Sequence, residues 1–312
     1  MKSITILIPA YNEEPVLPTL YARLTSLAAT LPHYEFEFLF VNDGSSDDTI
    51  NILKQLVVKD DRISYVNLSR NFGKEIAMIA GIDHVKSDSL VIIDADLQDP
   101  PELIPEMIKL WEQGYDDIYA RRSKRLGESW LKKASSSLFY RLLQRSTDIP
   151  IQRDTGDFRL LDRRCIDALQ QIRERERYTK GLFSWIGFNK KEIRYVRDPR
   201  AAGETKWNYF KLVNLAIDGI VSFTTAPLRF STILGMLISF FSFIYIIVII
   251  IRTLIFGIES AGYPSIMAVV LFLGGVQLLS LGIIGEYIGR IFNETKQRPL
   301  YLVDEYHQKK AK

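Results

Sequence analysis

The chain has 312 residues with 40 basic and 37 acidic side chains, and its formal charge of +3 excludes a strongly polyanion-binding protein such as a nucleic-acid partner. That length accommodates one or two domains with a sizeable core. A lone cysteine, Cys165, excludes an internal disulfide, and three histidines without zinc-type spacing argue against histidine-based metal chemistry.

The N-terminal part alternates strand-like and helix-like segments. Ile4–Ile8 is apolar and β-branched, stops at Pro9, and is too short for a signal peptide, so it reads as a first strand. Glu35–Asn42, Ile63–Leu68 and Ser89–Asp94 are further strands. Between and after them lie amphipathic helical stretches at Val16–Leu31, Thr49–Lys59, Lys74–Val85 and Pro101–Gln113, with Ser46 or Asp47 placed to cap the second. Cys165 falls in another helical stretch, Asp162–Ile172, and reads as packing. Strands alternating with helices predict an α/β fold with a mostly parallel sheet, helices on both faces and ligands at the carboxyl ends of the strands.

Past Phe223 the character changes. Phe230–Ile251 carries no charge over 22 positions and Ser260–Gly285 none over 26. Both exceed the roughly 20 residues that cross a bilayer, so two transmembrane helices are expected. Basic residues flank the pair on both outer sides (Lys206, Lys211 and Arg229; Arg290, Lys296 and Arg298), which places the N-terminal region and the C-terminus in the cytoplasm. Gly274, Gly275, Gly282 and Gly285 are expected to let the helices approach closely. Leu131–Leu143 and Trp207–Phe223 mix apolar and basic residues, as a membrane-surface or an ordinary packing helix would. The implied division is residues 1–206 as the catalytic domain, 207–228 as a juxtamembrane segment, 229–290 as the spans and 291–312 as a tail. The part after Gln297 either packs against another subunit, leaving a homo-oligomer open, or is mobile.

Three carboxylate-bearing turns follow strands: Pro9–Glu14, Asn42–Asp47 and Asp94–Pro100. In extended chain, Asp94 and Asp96 project to one side, and with the Gln98 amide oxygen they form a hard donor set suited to Mg²⁺ or Mn²⁺. A D-x-D pair alone is a weak signal, because strand-end carboxylates often only cap helices.

The strings IPAYNEE (Ile8–Glu14), VNDGSSDDT (Val41–Thr49), SRNFGKE (Ser69–Glu75), DADLQDPPE (Asp94–Glu102), DTGDFRLLDR (Asp154–Arg163) and RAAGETKW (Arg200–Trp207), with the Ala120-Arg121-Arg122 step, occur together and in order. In this combination the chain resembles nucleotide-sugar glycosyltransferases of the GT-A fold. It is most similar to the polyprenyl-phosphate branch, which includes dolichyl-phosphate mannose synthases and bacterial bactoprenol glucosyltransferases.

The resemblance implies nucleotide-sugar binding by Pro9, Tyr11, Glu13, Val41, Asp43, Asp94, Ala95 and Asp96. Tyr11 would stack, Asp43 would accept a base N–H and Glu13 a ribose hydroxyl. Asp94, Asp96 and Gln98 would hold the metal, and Arg121, Arg200 and Lys206 the phosphates. Asp157 is the implied catalytic carboxylate, working as a base or by positioning the acceptor, through Arg159 or a cation. Lys74 and Arg122 read as solvated surface charges.

The implied activity is transfer of a hexose from UDP-glucose to a polyprenyl phosphate, with inversion, at the cytoplasmic face of the bacterial inner membrane. GDP-mannose, a UDP-aminoarabinose derivative and a non-polyprenyl acceptor stay open. Processive polysaccharide synthesis is disfavoured, since the nearest match to a Gln-x-x-Arg-Trp element, Gln170–Glu174, lacks the tryptophan.

Overall fold

The computed structural model describes residues 1–122, 155–175, 177, 179–195, 224–256 and 262–308. Arg200, Lys206, Leu131–Leu143 and Trp207–Phe223 lie outside the described residues. The chain divides into two compact units, Met1–Val213 with Arg298–Lys312, and Asn214–Gln297.

The first unit is built on one eight-stranded sheet in the order β7-β5-β6-β4-β1-β2-β3-β8. Its centre is parallel: β1 (Lys2–Ala10) lies between β2 (Tyr34–Asn42) and β4 (Ser89–Ile92), and β3 (Ile63–Leu68) follows β2. The period-two side-chain alternation of a strand explains how both faces are covered. Ile4, Ile6, Ile8, Phe36, Phe38 and Phe40 enter one core with α1 (Leu17–Ala29), α2 (Thr49–Lys59) and α4 (Ile104–Glu112). Leu7 points to the other face, where α3 (Lys74–His84) packs so closely that a Cβ on Gly81 would fall 2.1 Å from the Leu7 side chain.

The chain then departs from simple alternation. β5 (Asp117–Arg122) and β6 (Thr155–Asp162) pair antiparallel, β6 also lies antiparallel to β4, and β7 (Lys190–Tyr195) runs parallel to β5. α5 (Arg163–Gln171) starts at Asp162, whose carboxylate accepts the Arg164 N–H at 3.0 Å. α6 (Thr179–Trp185) follows it. Cys165 is buried in α5, and burial pushes its thiol pKa up, so packing is its role here.

The C-terminal tail folds back onto the sheet of its own chain. Val303–His307 forms β8, antiparallel to β3 at the edge of the sheet. Tyr65 Oη donates to Glu305 at 2.7 Å, and Tyr301 Oη donates to Asp83 at 2.8 Å.

The second unit contains α7 (Ala226–Phe256) and α8 (Tyr263–Thr295), both long and apolar enough to cross a membrane. At 31 residues α7 is roughly 46 Å long, more than a hydrocarbon core requires. Large apolar side chains such as Phe240, Phe243, Leu271 and Leu278 stand exposed along both helices. The two helices contact each other, and Ser231 Oγ donates to Ser280 Oγ at 2.7 Å. The glycines are not what brings them together, because a Cβ added at Gly274, Gly275, Gly282 or Gly285 would meet nothing within 4 Å.

Candidate active site

The carboxyl ends of β1, β2 and β4 converge, and short polar contacts tie their turns together. Asn12, in the left-handed region at φ 56°, donates its N–H to Ser45 Oγ at 2.9 Å and accepts the Ser46 N–H at 2.8 Å. The Glu13 N–H bonds Thr49 Oγ1 at 3.0 Å, and the Asp43 N–H bonds the Ala10 carbonyl at 2.9 Å. Gly44 completes this corner. Its φ is +63°, and a Cβ there would lie 2.3 Å from the backbone carbon of Arg70, so only glycine fits.

Asp43 is buried, and its two carboxylate oxygens accept the N–H groups of Phe72 at 2.7 Å and Gly73 at 2.9 Å. Burial raises its pKa, against these two N–H groups and Arg70, which lower it. The residue therefore fixes the turn that launches α3. Pro9 and Val41 are register partners between β1 and β2, both buried, and Tyr11 stands 45% exposed beyond them.

β4 ends at Ile92, so Asp94 and Asp96 are not two residues of an extended strand, as the spacing suggested. They lie in a turn in which Leu97 has φ 59°, Asp96 Oδ1 accepts the Gln98 N–H at 3.1 Å, and Ala95 and Gln98 are buried. The antiparallel register of β4 with β6 ends at Ile92↔Arg159. Asp94 lies just past the end of β4, and Asp157 lies in β6 two residues before Arg159. Lys74, the first residue of α3, closes the arrangement with Nζ 2.5 Å from Asp94 Oδ1 and 2.6 Å from Asp157 Oδ2.

Asp157 is 8% exposed. Burial would raise its pKa, but Lys74, Lys180 and Arg159 outweigh that and hold it down to about 2. Its Oδ1 is buried with no hydrogen-bond partner among the described residues. The Lys74 ammonium is shifted upward because its two carboxylate partners outweigh a large desolvation penalty. Next to it, Glu75 Oε2 accepts the Thr179 N–H at 3.0 Å, and burial with the nearby Asp157 charge raises Glu75 to about 7.

Residues 5–169 match the family model for glycosyl transferase family 2, and residues 226–291 match the GtrB C-terminal hairpin. The chain belongs to glycosyltransferase family 2. It is 49% identical over 302 residues to an uncharacterized glycosyltransferase of Synechocystis sp., covering 97% of this chain and 95% of that protein. It is 42% identical over 306 residues to the bactoprenol glucosyl transferase of Shigella phage SfV, covering 98% and 99% of the two. Among solved structures, a glucosyl-3-phosphoglycerate synthase from Mycobacterium tuberculosis superposes with a TM-score of 0.48 and 15% identity, over 69% of this chain and 75% of that one.

In this family 2 glycosyltransferase one arginine differs from its sequence reading. Arg159 is fully buried, paired through Nη1 to Asp117 Oδ2 at 3.1 Å, with its guanidinium 3.7 Å from the centre of the Phe183 ring. That partnership makes it part of the core and not a handle for an acceptor. Arg121 is paired with Glu192 at 2.9 Å across β5 and β7. Lys74, read as a surface charge, is instead the hub of the carboxylate cluster. Its position one residue past the glycine of SRNFGKE, at a helix start following a strand, was the available signal.

Proposed function

We propose that the chain transfers glucose from UDP-glucose to a polyprenyl phosphate by single displacement with inversion, beside the cytoplasmic face of a membrane into which α7 and α8 insert. The observation that carries this reading is Asp157 set against the Asp94–Gln98 turn by Lys74. The near full-length similarity to bactoprenol glucosyl transferases and the match to the GtrB C-terminal hairpin support the acceptor class.

In this reading Tyr11 stacks on the base and Glu13 takes a ribose hydroxyl. Pro9, Val41 and Asp43 form and brace the floor of the nucleoside pocket. Asp94, Asp96 and Gln98 would hold Mg²⁺ or Mn²⁺; two carboxylates and an amide oxygen fit a hard cation that keeps water and phosphate oxygens as its other ligands. When bound, that ion neutralises charge on the nucleotide diphosphate. Arg121, Arg200 and Lys206 supplement it on the leaving group, Arg121 by exchanging Glu192 for phosphate.

A phosphate monoester has its second pKa near 6, so at neutral pH most of the acceptor is already a dianion and needs no strong base. A carboxyl held near 2 is also a poor proton acceptor for the remaining monoanion. Asp157 therefore works as a fixed negative charge that orients cations and acceptor. The test is transfer of label from radiolabelled UDP-glucose to undecaprenyl phosphate in detergent, with Mg²⁺ or Mn²⁺ and then with EDTA. Metal-dependent movement of label into the lipid phase supports the reading; label moving only from another donor or onto another acceptor overturns it.

A further inference from the structure

We infer that Lys74 is a tethered counter-cation of the Asp94–Asp157 pair that yields Asp94 to the entering divalent cation and thereby links metal loading to the freedom of Asp157. The inference rests on the metal reading proposed above and extends it to a residue outside the metal and nucleotide set.

The geometry is specific. Lys74 Nζ contacts two carboxylates from separate strand ends, at 2.5 and 2.6 Å, with the ammonium between them. Asp94 and Asp157 share this one ammonium, and unscreened carboxylates so placed repel. A positive charge is therefore required between them whenever no other cation is there. Contacts on either side of Lys74 anchor it in that position. The α3 turn before it is pinned by the Asp43 carboxylate through the Phe72 and Gly73 N–H groups, and Glu75 after it accepts the Thr179 N–H. A divalent ion on Asp94 and an ammonium 2.5 Å from Asp94 Oδ1 repel one another and compete for the same carboxylate. Loading therefore leaves Lys74 either on Asp157 alone or on a newly arrived phosphate.

Mn²⁺ binding to the full chain in detergent, followed by electron paramagnetic resonance of the free ion without donor or acceptor, tests this directly. Lys74→Gln removes the competitor and should lower the Mn²⁺ dissociation constant several-fold. Asp157→Asn leaves the ammonium to Asp94 alone and should raise it several-fold, and that rise should largely vanish in the Lys74→Gln background. Unchanged or weaker Mn²⁺ binding in Lys74→Gln, or an Asp157→Asn effect of equal size in both backgrounds, would overturn the inference. Asp96→Ala separates the two levels: undiminished Mn²⁺ binding there contradicts the metal site itself, whatever Lys74 does.

Discussion

Lys74 donates to the Asp157 carboxylate across 2.6 Å, joining the first turn of α3 to strand β6. This contact brings residues 83 apart in sequence into one charge cluster. It also holds the Asp157 pKa below the usual carboxylate range although the residue is almost wholly buried.

Replacing the central carboxylates should remove catalysis and leave the fold intact. Asp157→Asn and Asp96→Ala are each expected to lower kcat by at least about 100-fold, the scale of losing one preorganised electrostatic group. Initial rates of lipid glucosylation, read beside thermal midpoints, check this; near wild-type rates in either variant would remove that residue from the mechanism.

Glu75 gives stability a pH dependence of defined sign. Its folded pKa is raised to about 7 from an ordinary 4.5, so the folded state favours the protonated form. Its contribution is complete below the unfolded value and is lost as pH rises through about 7, an effect of up to about 3 kcal/mol. Asp157 acts oppositely, and its contribution is lost only as pH falls from about 4 towards 2. Thermal midpoints between about pH 5 and 8 should therefore fall in the wild type and fall less in Glu75→Gln. Parallel curves would contradict the assignment.

Gly44→Ala should be severe for its size. The substitution meets both a left-handed φ of +63° and the Arg70 backbone at 2.3 Å, so a loss above about 2 kcal/mol is expected. UDP binding should weaken with it, because the neighbouring Asp43 fixes the α3 turn. Denaturant titration and nucleotide calorimetry measure the two effects separately.

The buried Arg159–Asp117 pair predicts an asymmetry. Arg159→Ala leaves an uncompensated buried charge and should cost about 3–5 kcal/mol, while Arg159→Met combined with Asp117→Leu should cost much less. Equal losses would mean that the ion pair itself stabilises the fold.

The parallel half of the sheet was legible in the sequence because its strands are short apolar runs ending at turn residues, and the bounds of α2 coincide with its amphipathic stretch at Thr49–Lys59. The antiparallel half was not. β6 is fully buried apart from its last residue and carries Arg159 and Asp157 inside, so its pattern resembles neither an alternating strand nor a continuous apolar run. β8 is an exposed, charged edge strand whose partner β3 lies more than about 230 residues away in sequence, beyond the reach of any local periodicity. The same limit hid Lys74: a lysine at a helix start is usually solvated, and only the tertiary fold brings Asp94 and Asp157 before it.

The central claim is that glucose moves onto a lipid phosphate by one displacement at the anomeric carbon. Nuclear magnetic resonance of the purified lipid product from UDP-glucose and undecaprenyl phosphate tests it most directly. The account predicts a glucosyl phosphodiester with the β configuration, inverted from the α-linked donor; an α-linked product, or glucose attached anywhere but the phosphate, would contradict it.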